Sequence, residues 1–310
     1  MEFPFKLKKD REFDVVGFGT NAVDYLITVP EFPEFDSKIE LRDYSRSAGG
    51  EIATTMTGLQ RLGLKTAYAG RFGDDEAGDF GLQSLVDEGV ETRFAEQIPG
   101  ARTQIAFIII DERNGERTII WKRDAALSYS EQEVSEELAT SGAILHFTPH
   151  DAAACIRLAK IAREAETIVS IDVDRILERI EELLPLVDIM ICSADFAKNF
   201  TGLRDPRSAI LELHGKFGSK ITGTTLGEKG SLICCGGEFV ETPGFAVPGG
   251  CKDTTGAGDS FRTGLLYGLY SGWSVEESCR AANAVAALKC RAVGARTALP
   301  TEAELKHFLK

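Results

Sequence analysis

The nine residues Asp253-Thr254-Thr255-Gly256-Ala257-Gly258-Asp259-Ser260-Phe261 are the most informative stretch of this 310-residue chain. Beyond them Phe261, Leu265, Leu266, Leu269 and Tyr270 recur at helical spacing, and Gly272 supplies a stop. Gly256-Ala257-Gly258 is thereby placed at a helix N-terminus. Small residues let a ligand approach the backbone closely, and the unpaired N–H groups with the helix dipole favour an anion. A phosphate group is the natural ligand. Asp259 then falls in the first helical turn, beside the anion site. Two readings of it stand side by side. It is an N-terminal carboxylate complementing the dipole after a glycine turn, or a base that takes a proton from a hydroxyl attacking phosphorus.

Outward from that helix, strand and helix patterns alternate along the chain. Phe13–Gly19 reads as a buried strand entering a glycine turn, and Ala53–Leu62 as a helix closed by Gly63. Ala67–Gly70, Ala143–Phe147, Ile168–Asp172, Val187–Cys192 and Lys220–Thr224 read as strands. Gly78–Glu88, Ala152–Ala165 and Ser208–Phe217 read as helices between them, and Thr301–Leu309 as a terminal one. Such alternation predicts an α/β fold, a mostly parallel sheet covered on both faces. Two stretches break the rhythm. Lys38–Tyr44 alternates with period two, and Thr103–Ile110 joins Glu116–Lys122 across an Asn-Gly hairpin signal. These predict a small separate β-sheet. The division expected is one domain over 12–310, lid segments at about 30–47 and 101–124 inserted in it, and an N-terminal extension at 1–11.

Composition narrows the function. A formal net charge of −13 argues against general nucleic-acid binding, which needs a basic surface, and requires any phosphate site to be built locally. No apolar run approaches the ~18 residues of a membrane span. Seven cysteines in odd number, without a CxxC, read as reduced thiols in a cytoplasmic protein, and the four histidines show no zinc spacing. Asp172 and Asp174, at the end of a strand, read as turn or cap residues rather than a metal pair.

Asp253–Phe261 resembles the DTxGAGD signature of the ribokinase-like (PfkB) carbohydrate kinases, and other segments agree in order. Gly19 with Asp24 resembles the family's sugar-binding loop, and Ala48-Gly49-Gly50 its GG motif. Gly73-Asp74-Asp75 with Gly78 resembles its GDDxxG, and Thr225-Leu226-Gly227-Glu228-Lys229-Gly230 its TxGxxG. The resemblance implies a three-layer α/β/α fold with a β-sheet lid. It also implies transfer of the γ-phosphoryl group of ATP, with Mg²⁺, to a sugar or nucleoside hydroxyl. Carried over residue by residue, Asp259 is the general base, and the N–H groups of Gly256, Ala257 and Gly258 form the anion hole. Asp24, Gly49 and Gly50 lie on the acceptor side, where Arg123 of the lid can reach an acceptor. Thr225, Gly227, Gly230 and Asn283 lie along the nucleotide. Asp253 and Thr255 match positions that hold a monovalent cation in many members, which adds K⁺ as a candidate.

The chain also departs from the family pattern. Glu51 and Thr54 stand where many members carry a sugar-contacting Asn. Ser193-Ala194-Asp195-Phe196 replaces the NxxE motif that organises Mg²⁺, leaving Asp195 as the carboxylate nearest that role. That second stretch, ahead of Phe200-Thr201-Gly202, resembles the ketohexokinases and sulfofructose kinases, and Ala287-Leu288-Lys289-Cys290 with Gly294, Arg296 and Pro300 resembles the sulfofructose kinase branch, which favours a ketose or keto-sugar derivative as acceptor. A nucleoside kinase and a non-catalytic binding relative of the same fold are the alternatives. The partners expected are a small-molecule sugar and a second copy of the chain, paired through the lid.

Overall fold

The computed structural model describes all 310 residues. Its strands in chain order are β1 (Phe13–Phe18), β2 (Ala22–Val29), β3 (Asp43–Gly49), β4 (Thr66–Gly73) and β5 (Glu91–Ile98). They continue with β6 (Ile105–Asp111), β7 (Arg117–Lys122), β8 (Gly142–Phe147), β9 (Ile168–Val173) and β10 (Ile189–Ser193). The last are β11 (Ile221–Thr225), β12 (Ser231–Cys235) and β13 (Glu238–Thr242). Nine of them form one sheet in the order β13-β12-β11-β10-β9-β8-β1-β4-β5. Every neighbour pair from β11 to β5 is parallel, and β12 and β13 add an antiparallel edge.

The central strands read as unbroken apolar runs because both faces are covered. Neighbouring residues point to opposite faces: Leu145 and Phe147 join one core cluster while Ile144 joins the other, and Met190 and Cys192 oppose Ile189 and Ile191. Helices Ala152–Glu164 and Pro206–Phe217 cover the first face. Helices Glu51–Arg61, Ala257–Ser271 and Val275–Lys289 cover the second. This is the expected α/β/α architecture. The chain leaves β1 toward β4 on one side and reaches β8 on the other. Ligands of open α/β sheets bind beyond the strand C-termini at such a reversal, and it is there that the second sheet stands.

That second sheet has the order β3-β2-β6-β7. Its register separates two faces. Asp24, Ala106 and Trp121 share a row that faces the main domain, and Leu26, Ile108 and Ile119 share the next row on the same face. The outer face carries Tyr25, Phe107 and Ile120, with Tyr25 stacked on Phe107 at 5.2 Å between ring centres.

Four features differ from the sequence reading. The small sheet includes β2, which lies outside the segments 30–47 and 101–124. Lys38–Tyr44 is not the strand; β3 starts only at Asp43, because β2 ends at Val29 before Pro30 and offers earlier residues no ladder. The β12–β13 hairpin and β5 also went unread. In β5 the half-buried run ETRFAEQI mixes charge through an edge strand.

Candidate active site

Gly256 caps the helix Ala257–Ser271 at φ +76°, in the left-handed region. A side chain there would be strained and would meet Ala295 at 2.9 Å. The glycine therefore turns the chain into the first turn of the helix, where the Ala257 N–H is not free for an anion as expected: it donates to the Thr254 carbonyl at 3.1 Å. Asp259 occupies the first turn. Arg262, one turn further on the same face, sends its guanidinium to Asp172 Oδ1 at 2.5 Å and donates to the Ile191 carbonyl at 3.2 Å. Asp172 is therefore not a turn or cap residue: it lies in β9 as half of a buried ion pair. Desolvation raises the Asp259 carboxyl well above its ordinary value. The neighbouring Asp172 and Glu51 carboxyls raise it further, and Arg262 opposes them. Burial likewise lifts Asp172 to about 7 against the pull of Arg262.

Asp259 opens onto a cavity of about 1260 Å³, enough for a nucleotide and a small acceptor together. Its floor is made by the C-terminal ends of the parallel strands: Thr20 after β1, His150 after β8, Asp172 and Asp174 at β9, Ser193 at β10 and Thr225 at β11. One wall holds Thr225, Gly227, Gly230 and Asn283 with Phe245, Ala246 and Val247. Gly230, at φ +100°, passes so close to the Thr242 carbonyl that a Cβ would sit 2.0 Å from it. Asn283 donates to Ser231 Oγ, the Thr242 carbonyl and the Pro243 carbonyl at 3.2–3.3 Å, so its amide fixes this wall.

The opposite wall holds Asp24, Gly50, Glu51, His150, Arg175 and Trp121. Glu51 accepts from the Thr20 hydroxyl at 2.8 Å and lies 3.8 Å from His150. Burial raises Glu51 and lowers His150 to about 4, which favours an uncharged pair. Asp24, buried on the inner face of the small sheet, is raised to about 7 by desolvation, and Arg296 opposes the shift. Arg175 lies 5.2 Å from the centre of the Trp121 ring.

The predicted residues thus converge with a few exceptions. Gly49 sits behind the wall, its carbonyl accepting from Arg296. Arg123 does not line the cavity: it pairs with Asp151 at 2.8 Å and donates to the Leu127 carbonyl, which satisfies the guanidinium away from any acceptor. Asp195 lies in a separate small pocket with Lys198 and Arg204, not in this cavity. At Asp253 the structure places the ammonium of Lys289. No three His, Cys, Asp or Glu side chains gather as a ready-made metal site. Sequence reasoning missed Arg262, Arg175, His150 and Arg117, whose Nη1 donates to Thr254 Oγ1 at 3.1 Å. The spacing of Arg262 from Asp259, three residues on a helix, was the one available signal.

Comparison with known proteins adds independent findings. A sequence profile described as pfkB family carbohydrate kinase matches residues 13–302. The chain is 28% identical to a ribokinase from Haemophilus influenzae, covering 94% of this chain and 97% of that one. It is 28% identical to fructokinase-1 from Zea mays, covering 96% and 97%. It is 25% identical to a nucleoside kinase from Methanothermobacter thermautotrophicus, covering 97% of each. The solved structure of Arabidopsis thaliana ribokinase complexed with ribose and ATP superposes with a TM-score of 0.81. It shares 24% identity, over 96% of this chain and 99% of that one.

Proposed function

The chain belongs to the pfkB family of carbohydrate kinases, as a sugar or nucleoside kinase, and from that premise we propose that it phosphorylates a ketose or keto-sugar derivative from ATP. The observation that carries this reading is Asp259, held at the helix N-terminus between two unlike walls of one cavity. The nucleotide lies along Thr225, Gly227, Gly230 and Asn283, and its terminal phosphates meet the N–H groups of Gly256 and Gly258, the Ala257 N–H being donated to the Thr254 carbonyl. The acceptor lies against Asp24, Gly50 and Glu51 under the small sheet. Asp259 takes the proton of the acceptor hydroxyl as its oxygen bonds to the γ-phosphorus, and the bond to the β,γ-bridging oxygen breaks with ADP as leaving group. The raised affinity of Asp259 for a proton makes it a stronger base than an exposed carboxylate. A polar acceptor wall of Thr20, Asp24, Glu51, His150 and Arg175 suits a hydroxyl-rich ligand. The Trp121 ring on the same wall supports a second reading, a nucleoside whose base stacks there.

Mg²⁺ fits as the companion of the nucleotide rather than as a resident ion. Asp174, with a side chain 45% exposed beside the cavity and paired with Arg175 at 3.2 Å, is the carboxylate we assign to its water shell. When bound, the ion neutralises charge on the phosphates. We further propose a homodimer through the outer face of the small sheet, where Tyr44, Phe107 and Ile120 stay exposed. No helix is long and apolar enough to cross a membrane. The cysteines are all free and six of the seven are buried, which supports a cytoplasmic setting.

The test is ADP release with MgATP over fructose, other ketoses, their phosphorylated and sulfonated derivatives, ribose and adenosine. A ketose-type hit supports the reading, a ribose or adenosine hit replaces it, and nucleotide binding without turnover on any acceptor counts against catalysis.

A further inference from the structure

Lys289 ends the helix Val275–Lys289, and its side chain is fully shielded from solvent. Lysine is almost never so buried unless paired. Its Nζ donates to the Asp253 carbonyl at 2.7 Å and lies 3.7 Å from Asp253 Oδ2. The other Asp253 contacts are equally specific. Oδ1 accepts the Thr255 N–H and Oδ2 accepts the Gly294 N–H, each at 2.8 Å. Gly294, at φ +99°, bends the loop after the helix around this carboxylate, and the Lys252 N–H straps to the Cys290 carbonyl at 2.9 Å. The ammonium thus joins the end of one helix to the turn that opens the next. Placed at a helix C-terminus, it also meets the negative end of the dipole.

The sequence resemblance puts a monovalent cation at Asp253 and Thr255. The residues present do not fit one. The carbonyl and both carboxylate oxygens of Asp253 already accept N–H groups. A second cation would face the Lys289 ammonium and the nearby Arg117 guanidinium, both positive. The Thr255 hydroxyl is buried without a partner, one oxygen where a bare alkali ion needs a shell of several.

We propose that Lys289 is a tethered cation: its ammonium takes the place of a monovalent ion at Asp253, positions the Gly256–Gly258 turn, and frees the enzyme from dependence on K⁺. Lys289 acts here as a positioning residue, through Asp253, on a turn it does not itself form. The assignment rests on reading that turn as the phosphate cradle. Burial lowers the lysine's proton affinity and Asp253 opposes the loss, consistent with an ammonium kept charged by its partner.

The test compares wild type with Lys289→Met in tetramethylammonium chloride and in KCl. One arm reads melting temperature without nucleotide, the other MgADP affinity by calorimetry. Coupling between a bound effector and a second ligand commonly runs about 5- to 150-fold. Wild type is expected to change MgADP affinity less than about twofold between the salts, well below that range. Its melting temperature should be the same in both. Lys289→Met is expected to lose about tenfold in affinity in tetramethylammonium and to regain part of it with K⁺ or NH₄⁺, within the same range. A purely packing role would give no cation-specific rescue. A wild-type melting temperature that climbs with K⁺ overturns the assignment, since a ligand bound to the native state stabilises it. So does a Lys289→Met protein that binds MgADP as tightly as wild type. The melting arm needs no nucleotide and no folded variant. It therefore decides the Lys289 assignment even if wild type binds MgADP in neither salt, a result that would count against the nucleotide reading alone.

Discussion

The two walls of the cavity are built in different ways. The wall proposed for the nucleotide is shaped by glycine turns, Gly227 at φ +61° and Gly230 at +100°, with Gly256 at +76° opening the helix beside it. The wall proposed for the acceptor is mostly side chain. Asp24 comes from β2, Glu51 from the start of a helix, His150 from the segment after β8, and Arg175 from the segment after β9. Under the proposed function, glycine turns serve what all phosphates share. Under the same reading, the side-chain wall is where a particular acceptor is chosen, and it can change without disturbing the turns opposite. Asp259 sits where the two meet.

The largest expected effect tests whether the walls are separable. Asp259→Asn should lower kcat by about 10²- to 10⁴-fold, the range of general acid–base catalysis, while MgADP affinity stays near that of wild type. Calorimetry with MgADP alongside turnover checks this. A parallel collapse of nucleotide affinity would mean that the carboxylate belongs to the cradle rather than to the junction.

Arg262→Met comes next. Removing the guanidinium leaves Asp172 buried without its partner, a change that commonly costs about 3–5 kcal/mol. Denaturant unfolding measures it. The kinetic consequence has a definite sign. Arg262 holds down the proton affinities of both Asp172 and Asp259. Its loss should therefore move the acid limb of the kcat/KM profile to higher pH, that limb belonging to the coupled group rather than to one residue. An unmoved limb would show that Arg262 braces the fold without tuning the base.

The same contrast explains what the sequence revealed. Glycine turns and apolar runs are local facts: Gly256-Ala257-Gly258 before an amphipathic helix, or Ile168–Asp172 between turns, can be read without neighbours. The edge strand Glu91–Ile98 could not, because its charged residues pair outward, as Arg93 does with Glu12 and Glu137. Side-chain partnerships at long range were equally hidden. Arg123 has the right composition for a ligand contact, yet its carboxylate partner is Asp151, 28 residues away. Lys289 reads as the end of a helix until Asp253, 36 residues earlier, is placed against it. Asp172 reads as a strand end until Arg262 arrives from another layer.

The smallest expected effect sharpens the acceptor wall. Asp24 lies so close against Gly49 that a Cβ there would sit 1.9 Å from its Oδ2, which leaves no room for solvent on that side. Desolvation raises its carboxyl from 3.8 to about 7. A carboxyl with a raised native value favours folding fully below 3.8, and the unfolded chain gains as pH rises from there to about 7. Asp24→Asn carries no ionisable group and escapes that loss. Its melting temperature should therefore gain on wild type between pH 4 and pH 7, by at least the 2–4 °C that about 1 kcal/mol produces in a domain of 150–250 residues. The acceptor KM should rise in the same variant while the MgATP KM holds, since Asp24 touches only one wall. A melting difference that stays flat with pH would show that water reaches the carboxylate. Acceptor selection would then rest on Glu51, His150 and Arg175 rather than on a buried acid on the inner face of the small sheet.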